Sequence, residues 1–140
     1  MLTKHFYYDR EVPEEMINQI LVVDDDPLMH MLFKQHLERA GYQMLSATNG
    51  NEVLEIAARE QPGLIVLDVM MPDKDGLAIL RELKKAEATK TIPVIVMTAN
   101  GHFMMRKESE NSGAAMLLTK PFSPTHLLNE IRRLAPMKNQ

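Results

Sequence analysis

Five polar side chains follow short aliphatic runs, and their types together suit the transfer of a charged group. Asp24 and Asp25 come after Ile20-Leu-Val-Val23, and Asp68 after Leu64-Ile-Val-Leu67. Thr98 closes Pro93-Val-Ile-Val-Met97, and Lys120 stands two residues beyond Ala115-Met-Leu-Leu118. Runs of this kind read as strands buried on both faces. In a doubly wound sheet, ligands bind beyond the carboxyl ends of the strands, near the switch in strand order. Residues far apart in the chain therefore converge on one pocket. Three carboxylates there repel one another, and a pair at ~4 Å costs about 4 kcal/mol at an effective dielectric of about 20. A cation must compensate. Oxygen-only ligands with open positions suit Mg²⁺, which keeps waters and shares its coordination with phosphate. Lys120 adds a point charge and Thr98 a hydroxyl donor. Nucleophile, metal, cation and donor are the parts that phosphoryl transfer requires.

The elements that must position these residues alternate between strand and helix, the pattern of a parallel sheet flanked by helices. The first strand, Ile20 to Val23, leads into a helix capped by Asp26 with Pro27 at its first position, where no amide hydrogen is needed. Asp26 is accordingly a cap and not a metal ligand. Met29, Leu32, Phe33, His36, Leu37 and Ala40 form one helical stripe, with His36 as a core histidine, and Gly41 ends the helix. Tyr42 to Ala47 is the second strand, and Asn49 to Glu60 the second helix, stopped by Pro62. The third strand delivers Asp68 to a loop, Met70 to Gly76, broken by Pro72 and Gly76. Leu77, Ile79, Leu80 and Leu83 mark the third helix, and the fourth strand ends at Thr98. A weakly amphipathic fourth helix runs from His102 to Ser112 and is closed by Gly113. The fifth strand, Ala115 to Leu118, precedes Thr119-Lys-Pro121, and Leu127, Leu128, Ile131 and Leu134 mark the last helix. The expectation is five βα units.

Composition narrows the function. A chain of 140 residues fits one domain with a real core. Its 45% hydrophobic and 25% charged content is ordinary for a soluble globular protein. A net charge of -3 argues against general nucleic-acid binding, which needs a basic face. There is no cysteine for disulfides or thiolate metal sites, which fits a reducing compartment. No apolar run approaches the ~20 residues that cross a bilayer. The N-terminus, with Lys4, His5 and Tyr7-Tyr8, lacks the apolar core of a signal peptide, so the expected location is the cytoplasm, with no membrane contact.

Leu21-Val-Val-Asp-Asp-Asp-Pro27, Val66-Leu-Asp-Val-Met-Met-Pro72, Met97-Thr-Ala99 and Thr119-Lys-Pro-Phe122 resemble, in order and spacing, the receiver domain of two-component response regulators. The resemblance covers about residues 19 to 136. It implies a flavodoxin-like, doubly wound, five-stranded parallel sheet with strand order 2-1-3-4-5. It also implies that Asp68 accepts a phosphoryl group from a histidine kinase or histidine phosphotransfer protein. Asp25, Asp68 and the Met70 carbonyl would ligate Mg²⁺, with Asp24 acting through water. Thr98 and Lys120 would contact the phosphoryl oxygens, and the Lys120–Pro121 bond would be cis. Such a protein is not an enzyme in the usual sense, since it catalyses only its own phosphorylation and dephosphorylation. Its output would pass to a protein partner through the face of the fourth helix, fifth strand and fifth helix. Met104, Met105 and Met116 would supply adaptable contacts there.

Two departures stand out. Leu117 occupies the position where many receivers carry an aromatic residue that moves with the threonine. Ala115 and Met116 replace acids of the charged dimer face found in winged-helix members of the family. Residues 137–140 make a short tail, and the chain reads either as a stand-alone receiver or as a fragment of a longer regulator. Residues 1–18 form an N-terminal extension rich in aromatics, with Phe6, Tyr7 and Tyr8, and a short helix is expected from Pro13 with Glu14 and Glu15 in its first turn. This extension would pack on its own domain or on a second copy, the latter giving a homodimer. Two other functions compete. A phosphatase of the haloacid dehalogenase type would use Asp24 as nucleophile with Asp26, but this chain lacks the Thr or Val expected to follow, and its 140 residues leave little room for that family's covering insertion. A phosphate-independent receiver-like adaptor would normally have lost an acid or the lysine.

Overall fold

The computed structural model describes residues 4–7, 10–13, 19–71, 75–99 and 103–136, and for residues 4–7, 10–13, 103 and 104 the backbone alone. Five parallel strands form the central sheet: β3 (Gln19–Val23), β4 (Gln43–Ala47), β5 (Leu64–Asp68), β6 (Val94–Thr98) and β7 (Met116–Thr119). Their spatial order is β4-β3-β5-β6-β7, which is 2-1-3-4-5 when these five alone are counted. Among the described residues five helices flank them, four joining successive strands and the last following β7: α1 (Pro27–Arg39), α2 (Gly50–Glu60), α3 (Gly76–Lys85), α4 (Phe103–Asn111) and α5 (Pro124–Leu134). This is the flavodoxin-like arrangement expected.

The period of two along each strand divides the core. Leu21, Val23, Ile65, Leu67, Val94 and Val96 face one way and pack with Val53 and Ala57 of α2 and with Leu80 and Leu83 of α3. Ile20, Val22, Leu64, Val66, Ile95 and Met97 face the other way, against Phe33 and Leu37 of α1 and Leu127 and Ile131 of α5. β5 and β6 are buried along their whole length because helices cover both faces. Each fully buried Leu, Ile or Val contributes about 1.5–3 kcal/mol, so this double core holds the strand ends in place.

Local signals behave as their chemistry dictates. The Asp26 side chain accepts the Leu28 amide at 2.9 Å, with Pro27 opening α1. Asn49, Asp75 and Ser123 cap α2, α3 and α5 in the same way. Gly41 and Gly113 take positive φ at the ends of α1 and α4, and Lys120–Pro121 is cis. Most expected element ends shift by a residue, as helix and strand ends commonly do. On the predicted α1 stripe only Phe33 and Leu37 are buried, while Leu32 is 40% exposed and His36 half-buried. The seam that α1 makes with the sheet and α5 is narrower than its apolar stripe.

One point of the N-terminal expectation changes, the place of Pro13. Lys4–Tyr7 (β1) and Arg10–Pro13 (β2) pair antiparallel, from Lys4↔Pro13 to Tyr7↔Arg10. Pro13 therefore ends a strand instead of starting a helix. Residues 14–18, which would hold the rest of that helix, lie outside the described residues. Phe6, Tyr7 and Val12 favour strands, and two residues separate the paired segments, a hairpin spacing. The proline-then-acid signal is local and carries no information about that pairing.

Candidate functional site

The switch in strand order falls between β3 and β5, since β4 lies on one side of β3 and β5 on the other. Asp24 leaves the end of β3, and Asp68 ends β5. In register Asp68 pairs with Met97, so Thr98 stands one residue farther along β6. Thr98 in turn pairs with Thr119, and its carbonyl accepts the Lys120 amide at 2.8 Å. The register thus brings Asp24, Asp68, Thr98 and Lys120 to one end of the sheet.

Asp24, Asp25 and Asp68 each offer a carboxylate oxygen within 4.8 Å of the others. Lys120 Nζ reaches between two of them, 3.1 Å from Asp24 Oδ2 and 3.1 Å from Asp68 Oδ2. The remaining oxygens take backbone amides: Asp26 to Asp24 Oδ1 at 2.9 Å, and Met70 to Asp68 Oδ1 at 2.8 Å. Asp24 and Thr98 are fully buried and Asp68 nearly so, whereas Asp25 is exposed and the Met70 side chain half-exposed. Burial pushes the Asp24 carboxyl above its ordinary range; the Asp26 amide and Lys120 pull it down without cancelling this, and Asp68 adds to the rise. For Lys120, burial works against the charge, but hydrogen bonds and attraction from Asp24 and Asp68 win and hold the ammonium above its usual pKa.

Three carboxylates against one ammonium leave the pocket in excess negative charge. The three acids offer only hard oxygen atoms, without sulfur or nitrogen ligands, and one of them opens to solvent. This chemistry fits Mg²⁺. Pro72, within the expected loop, lies outside the described residues. Gly76, at the start of α3, stands close against Val69: a β-carbon there would collide with Val69 Cα and stand 2.8 Å from Val69 Cβ.

One neighbour of the site had no signal in the sequence. His30, the fourth residue of α1, places Nε2 2.6 Å from the Asp24 carbonyl oxygen. A histidine six positions after an aspartate specifies nothing; the contact exists only because α1 doubles back over the end of β3.

Fold and site together define a doubly wound parallel sheet with an acidic pocket at its switch point. The model of the family described as the response regulator receiver domain matches residues 20–132, and the chain belongs to that family. The DNA-binding dual master transcriptional regulator RpaA of Synechocystis is 39% identical over 116 residues, 83% of this chain and 48% of that regulator. The chain thus spans about half the length of this relative. Among solved structures, the BeF3-activated N-terminal receiver domain of Klebsiella pneumoniae RstA is 30% identical with a TM-score of 0.78, over 84% of this chain and 98% of that one. Vibrio cholerae chemotaxis protein CheY4 is 28% identical with the same TM-score, 0.78, over 83% and 97%.

Proposed function

We propose that this chain is the phosphoryl-accepting receiver of a two-component phosphorelay, phosphorylated on Asp68. The observation that carries the reading is the Asp68 carboxylate, 4% exposed, gripped by Lys120 and the Met70 amide beside Asp24 and Asp25. An Asp68 oxygen attacks the phosphorus of a phosphohistidine on a histidine kinase or phosphotransfer protein. The new O–P bond forms as the P–N bond breaks, and the imidazole leaves with the electron pair. Lys120 then holds one phosphoryl oxygen, and the Thr98 hydroxyl donates to another. Asp25, Asp68 and the Met70 carbonyl would hold Mg²⁺, with Asp24 acting through water, and the ion would supply positive charge to an otherwise repulsive pocket. The same site catalyses loss of the group to water, and no other substrate is turned over.

Residues 19–136 make up the receiver unit, with 1–18 as an extension and 137–140 as a tail. The phosphoryl donor approaches over the start of α1, where Leu28 and Met31 are 71% and 65% exposed beside the site. Output leaves through the face of α4, β7 and α5. Arg106, Leu117, Thr119, Phe122 and His126 line a groove of 460 Å³ there, and Met105 and Met116 are half-buried; the Met104 side chain lies outside the described residues. The protein acts in the cytoplasm without membrane or direct nucleic-acid contact. No helix among the described residues is long and apolar enough to cross a membrane.

The deciding experiment is labelling with a small acyl phosphate or a phosphohistidine protein, with and without Mg²⁺. Acid-labile, hydroxylamine-sensitive label is expected on wild type only with Mg²⁺, and none on Asp68→Asn. Full labelling of Asp68→Asn would overturn the assignment. Label on Asp24 would indicate the phosphatase chemistry, and no label on wild type the phosphate-independent adaptor.

A further inference from the structure

We propose that His30 is a positioning residue for the metal pocket, holding the Asp24–Asp25 peptide so that the Asp25 carboxylate faces Asp24 and Asp68. The inference rests on the reading of these acids as the Mg²⁺ site. β3 ends at Val23, so the Asp24 carbonyl lies beyond the pairings of β3 with its neighbours. The residue is fully buried, and a buried carbonyl left without a partner costs about 1–3 kcal/mol. His30 supplies the partner through Nε2 at 2.6 Å. A carbonyl only accepts, so Nε2 must carry the hydrogen. Nδ1 is buried and has no partner among the described residues, so the ring is committed to this one bond.

The other polar atoms of Asp24 are held as well. Its amide donates to Ala47, Oδ1 accepts from Asp26, and Oδ2 accepts from Lys120. With the carbonyl pinned by His30, the Asp24–Asp25 peptide is fixed at both ends of Asp24. Asp25 is exposed, and no hydrogen bond or ion pair holds its carboxylate among the described residues. Its place within 4.8 Å of the other two acids is therefore set through the backbone, and His30 sets that backbone. Groups that orient ligands without touching the ion commonly matter 10–100-fold in metal affinity.

The test uses the full chain with Mg²⁺ alone as probe. His30→Leu keeps bulk but has no donor; His30→Gln keeps an N–H that can reach the carbonyl. Mg²⁺ dissociation constants come from amide shifts of Asp25 and Asp68, and the Asp24 carbonyl carbon shift is read without metal. His30→Leu is expected to weaken Mg²⁺ about 10-fold or more and to move the Asp24 carbonyl signal, while His30→Gln recovers both to within about threefold of wild type. A folded His30→Leu with wild-type affinity, or a His30→Gln no better than Leu, overturns the role. If His30→Leu does not fold, the wild-type ring decides. Mg²⁺ should shift the His30 Nε2 resonance with the same midpoint as the Asp25 amide, and an unmoved Nε2 overturns the proposal. Failure of wild type itself to bind Mg²⁺ would instead defeat the underlying reading of the acids.

Discussion

Lys120 Nζ lies 3.1 Å from Asp68 Oδ2, although 52 positions separate the two residues in the chain. The same ammonium is 3.1 Å from Asp24 Oδ2, so one cation bridges two carboxylates that burial and mutual repulsion would otherwise destabilise.

Removing this bridge should have opposite effects on the metal-free and metal-bound protein. Lys120→Met leaves Asp24 and Asp68 uncompensated, and metal-free stability should fall by about 1–3 kcal/mol. That lies at or below the low end for breaking a buried pair, since the Lys120 side chain is 25% exposed. With the competing cation gone, Mg²⁺ should bind more tightly and raise the melting temperature further than in wild type. Thermal melts across a Mg²⁺ series measure both. A Lys120→Met protein with unchanged metal-free melting would show that the bridge contributes nothing.

Asp24→Asn should move the other way. The ionised Asp24 is disfavoured by burial first, so replacing it relieves a cost that exists at neutral pH. Because the folded pKa is raised, that cost in wild type is present above it and is relieved as pH falls through it toward 3.8. The metal-free variant should melt roughly 2–6 °C higher at pH 7, with the gain shrinking on acidification. Mg²⁺-induced stabilisation should weaken in the same variant. Equal melting temperatures at pH 7 would refute the cost.

Tyr42 ties the end of α1 to the end of α5 through its hydroxyl, 2.9 Å from the Ala135 carbonyl. Burial raises its pKa above 10.0, with Arg132 pulling weakly the other way. A raised folded pKa means that its contribution is complete below 10.0 and is lost as pH rises through the folded value. Tyr42→Phe should cost about 1 kcal/mol near pH 7 and should remove this alkaline loss. Denaturant titrations at pH 7 and above pH 10 would read both; a cost that is the same at both pH values would contradict the sign.

Gly76→Ala should destabilise despite alanine's better helix propensity. The added methyl meets the backbone of Val69, which cannot move without displacing the Asp68–Met70 turn. About 1–3 kcal/mol of overpacking outweighs the roughly 1 kcal/mol propensity gain. Labelling of Asp68 should fall with stability. A variant as stable and as readily labelled as wild type would show that the loop yields.

The hairpin of β1 and β2 should be held by something larger, because two strands alone are marginal in water. Deleting residues 1–18 is expected to lower the melting temperature or to dissociate a dimer, read by calorimetry and light scattering. No change in either would reduce the hairpin to an appendage.

Much of the site is legible in the residues themselves, because the strands that deliver it are buried on both faces. Leu64-Ile-Val-Leu67 can only be a strand in the middle of such a sheet, and an acid at its end demands partners. Asp26 with Pro27, and Asn49 before α2, announce helix starts through capping chemistry that is local to a few residues. What sequence could not decide depends on how elements pack against one another in space. The exposure of Leu32 depends on the width of the α1 seam, and a helical stripe does not carry that width. The pairing of Lys4–Tyr7 with Arg10–Pro13, which puts Pro13 at the end of a strand, rests on cross-strand bonds that no single residue signals. Likewise the His30 contact with the Asp24 carbonyl arises where α1 folds back over β3. Residue types determined which groups can take part in the chemistry; tertiary structure decided which atoms hold them, since hydrogen bonds act over about 3 Å in space and not along the chain.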